Sequence, residues 1–157
     1  MRVQVFALML ILAGMEVALA RDAPASTALQ STAADQKAIR ALLDNYTKAV
    51  STKNQPLFES LLLNAHIPFS HVSLAVKRAK EIDATQNYEQ FRKGVFEGPA
   101  FTQRFQDIHI TQDGSLAQVS LIFVNTSASG VGWGWKTLQL LEVEGQWKIA
   151  SEFFTTH

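Results

Sequence analysis

The chain has 157 residues, and its 14 basic and 14 acidic side chains give a formal net charge of zero. Hydrophobic residues make up 47% of the chain and charged residues 18%, a composition typical of a single globular domain rather than of a disordered segment. The zero net charge argues against nucleic-acid binding, because phosphate neutralisation requires a clustered positive excess. The absence of cysteine excludes a disulfide framework, a thiolate nucleophile and a cysteine-ligated zinc site.

Residues 1–20 have the pattern of a secretory leader. Arg2 supplies a positive charge, residues 5–13 are an unbroken apolar stretch, and residues 18–20 read Ala-Leu-Ala, the small-x-small pattern of a leader-peptidase site. The apolar stretch is shorter than the roughly 20 residues of a transmembrane helix. The alternative is an amphipathic or buried helix. We predict a signal peptide over residues 1–20, cleavage before Arg21, and a mature chain that is secreted or periplasmic without a membrane anchor.

The mature chain begins with a flexible lead-in over residues 21–34, followed by a domain over residues 35–157. Thr32, with Asp35 three residues later, resembles a capping box at the start of a helix. The apolar residues that follow recur at helical spacing and predict one buried helix face. They are Ile39, Leu42, Leu43, Tyr46, Ala49 and Val50.

Two further helices are predicted after this first one. Asn54 can cap a short helix that carries Leu57 and Phe58, and Pro56 is tolerated in its first turn. Residues 67–76 mix apolar residues with Ser and His, which favours an extended segment. Asn87 begins a third helix, over residues 88–97, that ends at a Gly-Pro pair.

After Pro99 the hydrophobic pattern changes from helical spacing to alternation, which is typical of β-strands. The pairs Asp113-Gly114 and Glu144-Gly145 are tight-turn signals that join neighbouring strands into hairpins. We predict four strands, over residues 102–111, 116–127, 133–144 and 146–155.

Apolar side chains occupy both faces of these strands, so both faces of the sheet are expected to be covered. We assign to the inner face Val119, Leu121, Phe123, Trp133, Trp135, Leu141, Val143, Trp147, Ile149 and Phe153. The opposite face is then expected to carry an apolar patch of the kind that marks an interface, formed by Ile122, Val124, Leu138 and Leu140. We therefore predict a homodimer through the outer face of the sheet.

The order and spacing of these elements resemble those of a known superfamily. A long helix with Tyr46 at its middle leads into a short helix, and the chain ends in a hairpin, residues 140–150, that closes with Gly-Gln-Trp-Lys-Ile. This resembles the nuclear transport factor 2-like superfamily, with its SnoaL-like and ketosteroid-isomerase-like members, over residues 33–155. The resemblance implies an α+β cone-shaped barrel, in which three N-terminal helices pack on a strongly bent antiparallel sheet around a pocket. The superfamily contains isomerases, dehydratases, hydrolases and many members without known chemistry, so the fold leaves the function open.

The resemblance also implies a role for Tyr46. Ketosteroid-isomerase-like members keep a first-helix tyrosine that donates a hydrogen bond to a developing oxyanion. The alternative is that Tyr46 belongs to the core face of its helix, with its hydroxyl group simply hydrogen-bonded. Those members also need a carboxylate base in the strand after the second helix. Residues 67–73 read Ile-Pro-Phe-Ser-His-Val-Ser and contain no acid, so the sequence departs from the isomerase pattern here.

His71 is the residue that can take the place of the missing base, because imidazole titrates near neutrality. Alternation places it on the same strand face as Phe69 and Ser73, and the alternative is an ordinary half-buried histidine. Trp135 is either a core residue or an apolar wall of the pocket. We predict that Tyr46, His71 and Trp135 line one ligand pocket between the first helix and the concave sheet.

Two other motifs are weak. Residues 130–135 are rich in glycine but precede a strand instead of opening a helix, so they do not fit a nucleotide-binding loop. His66 and His71 are five residues apart, on opposite faces of a strand, which argues against a two-histidine metal site. We expect no cofactor and no metal.

Three classes of function remain open from the sequence. The leading hypothesis is a secreted or periplasmic domain that binds a small apolar ligand, or acts as an accessory domain, without chemistry of its own. The second is an isomerase, dehydratase or hydrolase that uses Tyr46 and His71 on a small apolar substrate. The third is a dimeric interaction module. No nucleic-acid partner is expected in any of them.

Overall fold

The computed structural model of the protein describes residues 29, 31–82 and 84–157. The predicted leader and most of the predicted lead-in lie outside the described residues. No helix within the described ranges is long and apolar enough to cross a membrane.

The first two helices begin where the capping residues predicted. Helix α1, Ala33–Ser51, is capped by Thr32, whose hydroxyl oxygen accepts a hydrogen bond from the backbone N–H of Asp35. Its buried residues are those of the predicted helix face. Helix α2, Gln55–Ser60, is capped by Asn54 in the same manner. Both predictions are confirmed. The signal is reliable because a capping side chain satisfies backbone N–H groups that have no partner within the helix.

The predicted extended segment over residues 67–76 is wrong in its second half. Strand β1 is short, Phe69–His71, and helix α3, Val72–Lys77, follows it directly. The Nδ1 atom of His71 accepts a hydrogen bond from the backbone N–H of Ser73 at 3.2 Å, so His71 is the N-cap of α3. Capping by a histidine ring is not among the common sequence signals, which is why the start of this helix was missed.

The third predicted helix is confirmed. Helix α4, Tyr88–Arg92, begins at a capping box made by Asn87 and Gln90. It continues as a π-helix, Lys93–Glu97, in the last part of the predicted range. The predicted helix over residues 88–97 therefore contains two kinds of turn.

Lys53, two residues after α1, contacts the C-terminal end of the π-helix. Its ammonium group donates hydrogen bonds to the backbone oxygens of Val95, Gly98 and Pro99. These carbonyl groups lie at or just beyond the C-terminal end of the π-helix, where helical partners are missing. The contact therefore joins the loop after α1 to the C-terminal end of the π-helix.

The sheet has five strands in the order β1-β5-β4-β3-β2, and all neighbours are antiparallel except β1 and β5. The tight turns at Gly114 and Gly145 are confirmed, with positive φ angles of 53° and 75° that suit glycine. The fold is α+β, with the helices packed on one face of a bent sheet. The four long strands are β2, Phe101–Asp113; β3, Leu116–Ser127; β4, Gly130–Val143; and β5, Gln146–Phe154.

The prediction for β4 assigned its two faces the wrong way round. Leu138 and Leu140 are fully buried in the core, whereas Trp133 and Trp135 are 48% and 52% exposed. Alternation correctly separates the two sets of side chains, but it does not say which set meets the helices. The inner set also includes Lys136, which is buried.

The alternation in β5 is interrupted by one extra residue, Ala150. Leu140 pairs with Ile149, whereas the preceding residue of β4, Gln139, pairs with Ser151. This bulge turns the strand over, because an extra residue reverses which side chains face inward. Glu152 consequently lies in the core, and the prediction that Phe153 continues the inner face is wrong.

Candidate functional site

A cluster of three polar side chains is buried between α1, β4 and β5. Tyr46 and Glu152 are fully buried, and Lys136 is 2% exposed. The Nζ atom of Lys136 lies 2.7 Å from Oε1 of Glu152. The hydroxyl group of Tyr46 lies 2.9 Å from Oε2 of Glu152 and 2.5 Å from Nζ of Lys136. The three groups therefore form one closed hydrogen-bonded unit, which we call the buried triad.

Aromatic rings surround the ammonium group of Lys136. The Nζ atom is 4.4 Å from the ring centroid of Tyr46 and 5.2 Å from that of Phe123. It is 5.6 Å from the ring centroids of both Phe105 and Phe154. A cation at these distances is attracted by the negative faces of the rings. One carboxylate and four aromatic rings thus stabilise the positive charge of Lys136 in place of water.

Burial changes the proton affinities of all three groups. It lowers the pKa of Lys136 from its ordinary value, and the opposite charge of Glu152 acts against this change. It raises the pKa of Glu152, against the effect of Lys136 and of the Tyr46 hydroxyl group. Burial and the carboxylate charge together raise the pKa of Tyr46 well above its usual range. Tyr46 therefore keeps its proton and acts as a hydrogen-bond donor.

Lys136 also lies on the wall of a cavity of about 270 Å³. Residues of α1, α4, the π-helix and the strands β2, β3, β4 and β5 line it. Lys136 is the sole titratable side chain among the residues that line it, whereas Tyr46 and Glu152 lie behind the ammonium group. The lining residues are Val50, Gln86, Gln90, Phe91, Gly94, Val95, Phe101, Gln103, Phe123, Asn125, Lys136, Phe154 and Thr156.

Two polar atoms of the cavity wall have unused hydrogen-bonding capacity. The side-chain N–H of Gln103 donates to Asn125 at 2.8 Å, but its Oε1 atom is buried and has no partner among the described residues. The ammonium group of Lys136 has three N–H donors, and the described residues accept from it at Tyr46 and Glu152. Gln103 and Lys136, which both line the cavity, thus have hydrogen-bonding capacity that the described residues do not use.

A second, more open groove of about 430 Å³ adjoins this cavity and shares Gly94, Phe101 and Asn125 with it. No titratable side chain lines that groove. Within the described ranges, no group of three or more histidine, aspartate or glutamate side chains is placed to hold a metal ion. The cavity beside the buried triad is therefore the candidate site, because it combines enclosure with positioned polar groups.

The structure does not bring the three sequence-predicted site residues into one pocket. Tyr46 faces inward as predicted, but its hydroxyl group contacts Lys136 and Glu152. His71 lies outside the cavity, where its Nε2 atom is 2.7 Å from the hydroxyl oxygen of Thr156. Trp135 lies on the opposite face of the sheet, and its indole is half exposed. Tyr46 and His71 each contact a residue that lines the cavity, and Trp135 does not share their side.

Lys136, Glu152 and Gln103 were not predicted from the sequence. A usable signal exists for Lys136, since it is a charged residue in the same alternating set as Leu138 and Leu140. A charge next to apolar residues in one set predicts either a solvent-facing set or a buried pair. No comparable signal exists for Glu152, because only the bulge turns it inward.

Comparison with known proteins identifies the fold. No protein-family model matches the chain, and no curated protein matches it in sequence. A solved nuclear transport factor 2-like protein of unknown function from Pseudomonas putida is 15% identical, with a TM-score of 0.64 over 80% of this chain and 89% of that one. A likeness at such low sequence identity shows the fold alone. It confirms the expected nuclear transport factor 2-like fold.

Two solved structures from Novosphingobium aromaticivorans also match. One, described as a candidate scytalone dehydratase, is 15% identical with a TM-score of 0.62 over 79% of this chain and 85% of that one. The other, described as a candidate aromatic ring hydroxylase, is 16% identical with a TM-score of 0.63 over 80% of this chain and 91% of that one.

Proposed function

We propose that this protein, which has the nuclear transport factor 2-like fold, binds a small and largely apolar molecule in the cavity beside the buried triad. The observation that carries the proposal is a cavity of about 270 Å³ with aromatic walls and two polar side chains of unused hydrogen-bonding capacity. Ligand sites in proteins have this character, since apolar walls supply affinity and a few polar groups orient the ligand.

The polar atoms define the chemical class of the ligand. Lys136 can donate a hydrogen bond to it and Gln103 can accept one from it. The charge of Lys136 is balanced by Glu152 at 2.7 Å, so the site does not require an anion. A neutral group that both accepts and donates, such as a hydroxyl or a carboxamide, satisfies both atoms. The volume is near the lower end of ligand sites, which favours a molecule of about one ring.

Titration calorimetry with ring compounds of similar size tests the proposal. Phenol is expected to bind more tightly than toluene, which lacks the polar group, by a few-fold to about tenfold. Benzylammonium is expected not to bind, because its charge would meet the ammonium group of Lys136. Equal affinity for all three compounds, or no measurable binding of phenol, would contradict the proposal.

A matched pair of variants localises the binding. Gln103→Leu removes the acceptor and leaves the donor at Lys136, so the preference for phenol over toluene is expected to shrink. Gln118→Leu makes the same chemical change at an exposed position of β3 and is expected to leave both affinities unchanged. A preference in Gln103→Leu as large as in the unaltered protein would mean that phenol does not contact Gln103.

The enzymatic alternative based on Tyr46 and His71 has less support. His71 does not line the cavity and is hydrogen-bonded to Thr156. Tyr46 is hydrogen-bonded within the buried triad, so the two side chains do not converge on one bound molecule. A ligand-binding role requires neither of them to reach the ligand. One structure of the same fold is described as a candidate aromatic ring hydroxylase, and an aromatic ligand would suit the aromatic walls here.

Export is part of the proposed function. The pattern of charge, apolar stretch and Ala-Leu-Ala over residues 1–20 motivates it. We propose that the mature protein begins at Arg21 and binds its ligand in a secreted or periplasmic form.

We also propose a homodimer through the outer face of the sheet, with residues corrected from the sequence prediction. Trp133 and Trp135 are half exposed and pair across the strands with Val124 and Ile122. A contiguous apolar strip of this kind marks an interface, and a strip on regular antiparallel strands can meet a second copy by two-fold symmetry. Light scattering at micromolar concentration is expected to give a dimer mass, and Trp135→Glu a monomer mass. A monomer mass for the unaltered protein would contradict the dimer.

A further inference from the structure

We propose that Lys136 forms a reversible imine with a small aldehyde bound in the cavity beside the buried triad. The inference rests on the proposed function, because the aldehyde must occupy the same cavity as the neutral ligands considered above. It extends that function from binding to covalent capture of one chemical class.

The position of Lys136 is the first argument. A lysine becomes a nucleophile when it is removed from water and lies where a carbonyl carbon can approach. Lys136 is 2% exposed, and its ammonium group is surrounded by aromatic rings. It is also the sole titratable side chain among the residues that line the cavity. An aldehyde within the cavity therefore meets one amine and no competing nucleophile.

The partners of Lys136 are the second argument, because imine formation requires proton transfers. Glu152 is 2.7 Å from Nζ and can accept a proton from the ammonium group. Tyr46 is 2.5 Å from Nζ and also hydrogen-bonded to Glu152, so it can pass a proton between the carboxyl group and Nζ. Both groups lie behind the amine and leave its cavity side open to the aldehyde.

Imine formation needs no proton from outside the buried triad. Glu152 takes one proton from the ammonium group, and the freed electron pair of Nζ forms a bond to the carbonyl carbon. A second proton moves from nitrogen to the carbonyl oxygen, which gives a carbinolamine. The protonated Glu152 then returns its proton as the C–O bond breaks and water leaves. The product is a protonated imine, which keeps the single positive charge beside the Glu152 carboxylate.

The charged groups around Lys136 predict how the variant Glu152→Gln changes the pH at which its amine is free. Burial lowers the pKa of Lys136 and the Glu152 carboxylate counteracts this, while Tyr46 faces the amine from α1 as a neutral hydroxyl group that accepts a hydrogen bond from it. The other residues of the cavity wall are uncharged. Glu152→Gln removes the counteracting charge, so free amine is expected at lower pH in this variant.

Reductive trapping tests the inference. The full chain is incubated with benzaldehyde and a borohydride, digested, and mapped by mass spectrometry for the gain of one benzyl group. Lys136 is expected to be modified at least about tenfold faster than exposed lysines such as Lys37 and Lys93, which lie in water with no cavity to hold the aldehyde. Excess phenol is expected to protect Lys136 alone. Because an imine needs a free amine, Glu152→Gln is expected to react at lower pH than the unaltered protein.

A double variant provides the negative control. Lys136→Met with Glu152→Gln removes the amine and the buried charge together, so the chain is expected to remain folded and to lose the modification at this position. Modification of exposed lysines but not of Lys136, in a protein that still binds phenol, would overturn imine formation and leave the proposed function intact. Absence of both phenol binding and modification of Lys136 would overturn both.

Discussion

Lys136 and Glu152 are diagonal neighbours across two antiparallel strands, and their side chains meet in the core at 2.7 Å. Lys136 is directly opposite Phe154, and Glu152 is directly opposite Leu138. The pair exists because the bulge at Ala150 turns Glu152 to the inner face. A buried ion pair of this type gives little net stability, since removing both charges from water costs about as much as their attraction returns.

This relationship predicts a difference between single and double variants. Either Lys136→Met or Glu152→Gln leaves one buried charge without its counter-charge and is expected to lower the free energy of unfolding by about 3–5 kcal/mol. The double variant leaves no buried charge and is expected to match the unaltered protein within about 1 kcal/mol or to exceed it. Urea denaturation followed by circular dichroism measures all three. Additive losses in the double variant would show that the two side chains are not coupled.

Tyr46→Phe is expected to affect stability and not ligand affinity. It removes the hydrogen bond to Glu152 inside a fully buried unit, which costs about 1–3 kcal/mol of unfolding free energy. The phenol affinity should stay the same, since the Tyr46 hydroxyl group lies behind Lys136.

Tyr88→Phe is the control for the Tyr46 variant, because it removes a hydrogen bond to Glu59 at a partly buried site. Water can replace that bond, so a loss below about 1 kcal/mol is expected. A weaker phenol affinity in Tyr46→Phe alone would place the Tyr46 hydroxyl group in contact with the ligand.

Gly134 is expected to tolerate no side chain. A Cβ atom at this position would lie 1.9 Å from the carbonyl oxygen of Thr155 and 2.8 Å from the ring of Phe123. Gly134→Ala is therefore expected to lower the free energy of unfolding by about 3 kcal/mol, because the backbone of β4 must move away from its neighbour.

Gly132→Ala is the matched control in the same strand. Its Cβ atom would lie 3.6 Å from the nearest atom, the carbonyl oxygen of His157, which is ordinary contact. Its thermal midpoint is expected to change little. Equal losses in the two variants would attribute the effect to strand flexibility and not to the close approach at Gly134.

The leader prediction is that the chain is cleaved before Arg21. The small-x-small pattern at residues 18–20 predicts cleavage before Arg21. Intact-mass spectrometry of protein recovered from the periplasm or the medium should show a chain that begins at this residue. Recovery of a chain that begins at Met1 would contradict the prediction.

Local signals in the sequence were sufficient to predict most of the helices and hairpins of the fold. Thr32, Asn54 and Asn87 mark the starts of three helices because side-chain caps act on backbone groups a few residues away. Gly114 and Gly145 mark hairpins because a positive φ angle is a property of one residue. Alternation within β3 separated the core side chains from the others, since Val119 and Leu121 are fully buried.

The site itself was decided by tertiary structure. Which face of β4 meets the helices depends on its neighbours, so sequence alternation alone placed Trp135 inside and Leu138 outside. The inward position of Glu152 depends on the register between β4 and β5, which shifts at Ala150. Register is a relationship between two strands, whereas periodicity is a property of one. The sequence therefore determined the elements and the inward face of α1 with Tyr46, and packing alone joined Tyr46 to Lys136 and Glu152.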